Sequence, residues 1–371
     1  MTETWISADL VFDGFNLLKE QAVRLDQSRI GALRPVAEIN PSLVQRHHPG
    51  LLTSGFFDIQ INGGGGALLN NDPTPNGVGV IAKAHRKLGT TDLLPTVITD
   101  SAEVIEMAAR AVLRSDFNGV RGLHIEGPHI SQRRRGTHRG AFLRPFDQRS
   151  LDLVRELRSE GLALLITVAP EAIETAQIES LVEMGVLVSL GHSDATSAQV
   201  QHCLKAGAQA FTHLYNAMSQ MESRAPGMVG TAIASEAWCS IIADGIHVDP
   251  VMVMNAIRAR PVPDRMIAVS DAMATVGGPD HFSLYGQDIH LKEGCLVNAE
   301  GSLAGAHLTM LEAIQNLVRW GLPLEEALRM GIHNPAQLMG IWPELGLIGR
   351  PLDDVILTSP TLDLLQQGLE L

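Results

Sequence analysis

Aromatic side chains make up only 4% of the 371 residues, so a core built from this chain must be filled by Val, Ile, Leu, Met and Ala. Cysteine is nearly absent. Cys203, Cys239 and Cys295 stand far apart, which excludes a disulfide framework and suits reduced thiols buried as small hydrophobes. Basic charge is also scarce: 28 Lys and Arg face 41 Asp and Glu, for a formal net charge of −13. Without a broad cationic face, a nucleic-acid partner is excluded. A small anion is not, because one or two local cations can hold it. The one dense basic run, "RRRG" at 133–136, reads as a solvated loop. No apolar run approaches membrane-spanning length, and "MTETWISADL" lacks the basic-then-apolar order of a secretory signal. The expectation is a soluble, cytoplasmic protein without a membrane partner.

What is present is a rhythm. Short apolar runs rich in β-branched residues recur as "FFDIQI" (56–61), "DLLPTVI" (92–98), "RGLHIE" (121–126), "ALLITVA" (163–169), "VLVSLGH" (186–192), "QAFTHL" (209–214), "CSIIAD" (239–244) and "MIAVSDA" (266–272). Stretches of helical period such as "GVGVIAKAHRKLG" and "SAEVIEMAARAVLRS" lie between most of them. Strands alternating with helices predict a parallel sheet, and eight units predict a closed (β/α)8 barrel of the TIM type. A doubly wound open sheet competes, but "NGGGG" at 62–66 lacks the G-x-G-x-x-G spacing of a nucleotide-binding turn. The flanks, 1–50 and 342–371, read as short strands and turns, predicting a small β-sandwich domain made from both chain ends, with the barrel, 51–341, inserted between. After the eighth run, "FSLYGQDIHLKEGCLVNAEGSLAG" reads as two or three more strands, followed by three helical stretches between about 306 and 340.

In such a barrel the chemistry gathers at the C-terminal ends of the strands. The run-ends here carry Gln60 and Asn62, Glu126, His192, His213, Asp244 with His247, and Asp271. Each alone has an ordinary explanation as a packing histidine or a helix cap. Several costly polar groups at one rim are harder to explain that way. One carboxylate and two imidazoles make a ligand set for Zn2+ or a similar divalent ion. The reading is Glu126, His192 and His213 as ligands, with Asp271 as the base that takes a proton from water.

At these residues the chain resembles a known family. "GLHIEGPHIS", "GHSDAT", "THLYNAM", "ADGIHVD", "SDAMA" and "LAGAHLTM" follow one another as in the N-acetylglucosamine-6-phosphate deacetylases of the amidohydrolase superfamily, and the resemblance spans nearly the whole chain. It implies a metal-dependent barrel that removes acetate from the amide of a phosphorylated amino sugar. Many amidohydrolases hold a second ion with His-x-His on the first strand; here those positions are Gln60 and Asn62, poor ligands for a transition metal. One divalent ion per chain is therefore implied, Zn2+ foremost, with Fe2+, Co2+ or Mn2+ as alternatives. Gln60 would hydrogen-bond the water or neighbouring ligands.

The same resemblance implies that Asp271 later protonates the departing amine and that His138 contacts substrate and polarises its acetyl carbonyl. Asn216 and Ala217 would line the sugar phosphate, with Arg224 and His247 as its cationic partners. Thr137 and the turn Gly305, Ala306 and His307 would line the same pocket. The counterpart of Arg224 can come from a neighbouring subunit, which implies a homodimer. The chain departs from the pattern around 133–144 and in "MATVGG", so an N-acetylgalactosamine 6-phosphate or another N-acyl amine stays open as substrate. A silent phosphosugar-binding barrel is a further alternative, opposed by Asp271, because a sensor needs no base.

Overall fold

The computed structural model describes residues 3–298 and 301–369. Eight parallel strands form the barrel wall: Phe56–Ile61, Thr90–Ile98, Leu123–Glu126, Leu164–Val168, Leu187–Leu190, Ala210–Phe211, Trp238–Ile242 and Met266–Val269. They are hydrogen-bonded in chain order. The barrel closes at its upper rim, where Ile61 bridges Ala272 and the Asn62 and Gly63 amides bond the Ala272 carbonyl at 2.9 and 3.0 Å. Every residue of the first two strands is buried, because side chains fill the barrel on one face and helices cover the other. The sixth strand is much shorter than its apolar run. The chain leaves the sheet when His213 turns into the left-handed region, at φ 36°.

Several helices between strands start where a side-chain oxygen accepts an otherwise unpaired backbone N–H: Thr74 for Pro75–Arg86, Ser101 for Ala102–Leu113, Asp147 for Gln148–Ser159 and Asp249 for Pro250–Ala259. Beyond the eighth strand, His281–Leu284, Gln287–Lys292, Cys295–Val297 and Leu303–Ala306 form a separate four-stranded sheet, one strand more than the two or three expected. Its first two hairpins turn on Tyr285–Gly286 and Glu293–Gly294, all four at positive φ. Neither pair is the Asn-Gly or Asp-Gly that announces such a turn. The last strand returns to the barrel mouth, where the Ala306 amide bonds the Asp271 carbonyl at 3.0 Å. The three expected helices follow, at Met310–Arg319, Leu324–Gly331 and His333–Leu338.

Both chain ends meet in a six-stranded sheet ordered Leu364–Gln367, Val355–Thr358, Val44–Ser54, Thr4–Phe12, Leu17–Asp26, Arg29–Pro35. Its pairs are antiparallel except for Thr4–Phe12 beside Val44–Ser54. The chain passes from this sheet into the barrel through Gly55, where a Cβ would lie 2.3 Å from the Thr91 side chain. Arg350, 1% exposed, ties the C-terminal segment to the second barrel strand by pairing with Asp92 and lying 3.6 Å from Asp354. No helix among the described residues is long and apolar enough to cross a membrane.

Candidate active site

Glu126 ends the third strand, whereas His192, His213 and Asp271 stand two residues past the ends of the fifth, sixth and eighth. Those three adopt left-handed backbone conformations, with φ of 46°, 36° and 50°. Such a conformation costs a non-glycine residue about 1–3 kcal/mol and persists only where its surroundings enforce it. Here it takes each side chain out of the strand's alternation and into the barrel mouth. All four groups are buried.

The two imidazoles converge on one carboxylate oxygen. His213 Nε2 lies 2.8 Å and His192 Nε2 3.2 Å from Glu126 Oε1, and the two nitrogens are 3.0 Å apart. His192 Nδ1 stands 2.8 Å from the Arg134 carbonyl. A carbonyl only accepts, so Nδ1 carries the hydrogen and Nε2 presents its lone pair to the cluster. Lone pairs crowded around one point repel unless a cation sits among them. The separations approach the roughly 3.3 Å edge of a tetrahedron with metal–ligand bonds of about 2.0 Å. Two nitrogens and one oxygen also suit a borderline divalent ion. The three side chains, the one such group among the described residues, therefore fit a metal ion.

The surrounding charges are tuned by burial and by each other. Burial pushes Glu126 up, but the adjacent His192 and His213 together outweigh it and hold the carboxyl well below its usual range. His213 moves the opposite way: burial lowers it, and Glu126 together with Asp271 raises it above its usual value. Asp271 is pushed up to about 6 by burial and by the charge of Glu126. That value suits a group that accepts a proton near neutral pH and returns it.

Gln60 and Asn62 act on the carboxylates from below. Gln60 Nε2 donates to Glu126 Oε1 and Asp271 Oδ1, each at 3.2 Å, and Asn62 Nδ2 donates to Asp271 Oδ1 at 2.6 Å. An amide nitrogen that donates in this way offers no lone pair to a second ion. Both bonds go to Oδ1, which leaves Oδ2 of Asp271 for a proton. Beneath them the fully buried Asp58 accepts from the Gln60 amide at 3.0 Å and from the amide and hydroxyl of Ser270, lacing the first strand to the eighth.

A cavity of about 410 Å³ opens over this floor. Thr137, His138, Asn216, Ala217 and His247 line it. His247 Nδ1 is 2.6 Å from Asp244 Oδ2; burial raises the Asp244 carboxyl, but His247 and the Ile246 and His247 amides together lower it below its usual range. His138 is pushed down to about 3 by burial and by His192. Three expected liners are elsewhere. Arg224 stands exposed, outside the cavity of its own chain. Ala306 uses its backbone to brace Asp271, and His307 Nδ1 pairs with Thr275 Oγ1 at 2.9 Å; of that turn only Gly305 reaches the wall. Gln60 lies beneath the floor rather than on it.

Conversely, Arg133 and Arg134 of "RRRG" are not merely solvated. Both line the cavity, and they pair with Asp194 at 3.3 and 2.8 Å, so "GHSDAT" supplies an acid that holds their loop over the site. Ile98, Ile242, Met273 and Leu303 complete an apolar wall. In sequence these four look like any other core residue, and no local signal separates them.

Comparison with known proteins agrees with this geometry. A model of the amidohydrolase family matches residues 51–350. The chain is 39% identical to an N-acetylgalactosamine-6-phosphate deacetylase of Shewanella sp. (strain ANA-3), over 90% of this chain and 86% of that one. It is 33% identical to an N-acetylglucosamine-6-phosphate deacetylase of Haemophilus influenzae, over 92% and 91%. The crystal structure of N-acetylglucosamine-6-phosphate deacetylase from Pasteurella multocida superposes with a TM-score of 0.90 at 31% identity, covering 99% of this chain and 98% of that one. With its parallel barrel, its Glu–His–His cluster and its buried Asp271, this chain belongs to the amidohydrolase family, among the deacetylases of N-acetylated amino-sugar 6-phosphates.

Proposed function

We propose that this chain hydrolyses the acetamide of N-acetyl-D-glucosamine 6-phosphate, yielding acetate and D-glucosamine 6-phosphate. The observation that carries this reading is the convergence of Glu126, His192 and His213 beside Asp271 on the floor of one cavity. A divalent ion bound by those three residues supplies Lewis acidity, which acidifies water and polarises a carbonyl. Gln60 and Asn62 hold Asp271 so that Oδ2 takes the proton from the attacking water. His138, in the cavity wall, stabilises negative charge on the former carbonyl oxygen. Asp271 then returns the proton to the amide nitrogen as the C–N bond breaks. Acetate release from the purified protein, assayed with N-acetylglucosamine 6-phosphate, tests the reading; absence of release from the metal-loaded protein with every N-acetylhexosamine 6-phosphate would overturn it.

The galactose epimer is the second reading, favoured by the 39% identity to the Shewanella relative. The ratio of kcat/KM for the two epimers decides between them. Zn2+ is the ion assigned here, from the borderline donor set. Because the Gln60 and Asn62 amides face carboxylates, about one tightly bound ion per chain is expected. Elemental analysis of active protein measures this, and two stoichiometric ions, both needed for turnover, would sink it.

The phosphate must be held near Glu126 and Asp271 in a chain of net charge −13, so local cations have to outweigh the overall field. His247 lies in the wall. Arg224, exposed on its own chain, is assigned to the cavity of a second copy in a cytoplasmic homodimer. Arg224→Ala is then expected to lower kcat/KM for the phosphorylated sugar by about ten- to a hundredfold, the worth of a charged hydrogen bond, with little effect on the plain sugar. Mixing Arg224→Ala chains with Asp271→Asn chains should restore activity, because one hybrid site regains both groups. Equal losses on both sugars would make Arg224 structural.

A further inference from the structure

Thr99 follows the second barrel strand and lies outside the motifs that carry the chemistry. It is fully buried. Its hydroxyl is wedged between two parts of the site: Oγ1 lies 2.7 Å from His138 Nδ1 and 3.5 Å from the Glu126 carbonyl. The fit is tight. A Cβ placed on Gly127 would come within 2.2 Å of that oxygen, and Gly127 itself takes φ 78°. The other side of Thr99 is held by the four-stranded sheet, whose Tyr285 hydroxyl donates to the Thr99 carbonyl.

A hydroxyl has one hydrogen to give. The Glu126 carbonyl stands at the outer limit of hydrogen bonding, whereas His138 Nδ1 is at a short, favourable distance. The hydrogen therefore belongs on the bond to Nδ1. That nitrogen then accepts, and the ring hydrogen is left on Nε2, at the edge away from Thr99. We propose that Thr99 is a positioning residue for the deacetylation assigned above: by donating to His138 Nδ1 it fixes the ring and makes Nε2 a hydrogen-bond donor toward the cavity. A donor is what the developing oxyanion needs; the opposite tautomer would present a lone pair and repel it. The His192 ring also packs against the His138 ring, with centroids 4.4 Å apart, and the backbone is held where the His138 amide bonds the Arg135 carbonyl at 3.0 Å and Arg135 Nη1 bonds the His138 carbonyl at 3.0 Å.

The inference rests on the role given to His138, and its test separates the two. Thr99→Val keeps the shape and removes the hydroxyl. It is expected to lower kcat by about ten- to a hundredfold, with metal content and KM near those of the wild type. Thr99→Ser should recover most of the loss. In a His138→Asn background, Thr99→Val should add no further loss, since the residue it acts through is gone. Nitrogen NMR of the His138 ring gives a readout independent of turnover: hydrogen on Nε2 in the wild type and in Thr99→Ser, and a mixture of tautomers in Thr99→Val. Unchanged turnover in Thr99→Val, an additive loss in the double variant, or a ring hydrogen on Nδ1 in the wild type would each overturn the inference. Should the wild type release no acetate at all, the proposed function fails, while the NMR result still decides what Thr99 does to His138.

Discussion

Replacing Asp271 by asparagine is expected to lower kcat by about 10²–10⁴-fold, the usual worth of a positioned general base, while the fold and the bound ion are retained. Asparagine has the size of aspartate, and its carbonyl can still accept from Gln60 Nε2 and Asn62 Nδ2, the two donors that face Asp271 Oδ1. What it cannot do is take a proton from water and return it to the amine. Because Asp271 is outside the Glu126, His192 and His213 cluster, the loss should appear in kcat without a fall in metal content. Steady-state kinetics and elemental analysis on the same sample check this. A variant with near-normal turnover would move the base elsewhere, and His138 is the next candidate.

His213→Asn should fail differently. Its Nε2 is 2.8 Å from Glu126 Oε1 and 3.0 Å from His192 Nε2, so the substitution removes one of three converging donors. The shorter amide cannot reach the same point, and affinity for the ion should collapse. Without Lewis acidity, several kcal/mol of charge stabilisation are lost, which corresponds to a fall in kcat/KM of roughly 10³-fold or more. The expected signature is low metal content together with activity partly recovered in excess divalent ion. His213→Asn with full metal content and normal turnover would remove His213 from the ligand set. Together the two variants distinguish a group that moves protons from one that holds the ion, although both stand two residues past a strand end.

The amides of Gln60 and Asn62 stand between two buried carboxylates. Two neutral donors aimed at Asp271 and Glu126 stabilise carboxylates that would otherwise repel each other across the floor. Asp58 and Ser270 secure the same seam from below, at the place where the first and eighth strands share only a short stretch of backbone pairing. The closure of the barrel and the alignment of Asp271 are thus one construction.

Much of this protein is written locally in its chain. Alternating apolar runs and helical periods, several of the helices begun by a Thr, Ser or Asp cap, are properties of neighbouring residues, and they suffice to predict a parallel eight-stranded barrel with Glu126, His192, His213 and Asp271 at one rim. The kinds of side chain are equally plain in the sequence, which is why a metal and a base could be assigned before any geometry. Convergence is another matter. Whether His192 and His213 meet Glu126 depends on left-handed turns just past the strands, and local periodicity carries no sign of them. Which way the Gln60 and Asn62 amides point is decided by carboxylates from other strands. Thr99 lies 39 residues from the His138 it touches, and "RRRG" becomes a wall of the cavity only because Asp194 pairs with it. The family resemblance assigns Arg224 to the phosphate, and folding leaves it exposed and away from its own cavity. The sequence by itself determined the elements and the chemistry available, because both are short-range; the tertiary structure alone decided which groups share a site, because that rests on contacts between residues far apart in the chain.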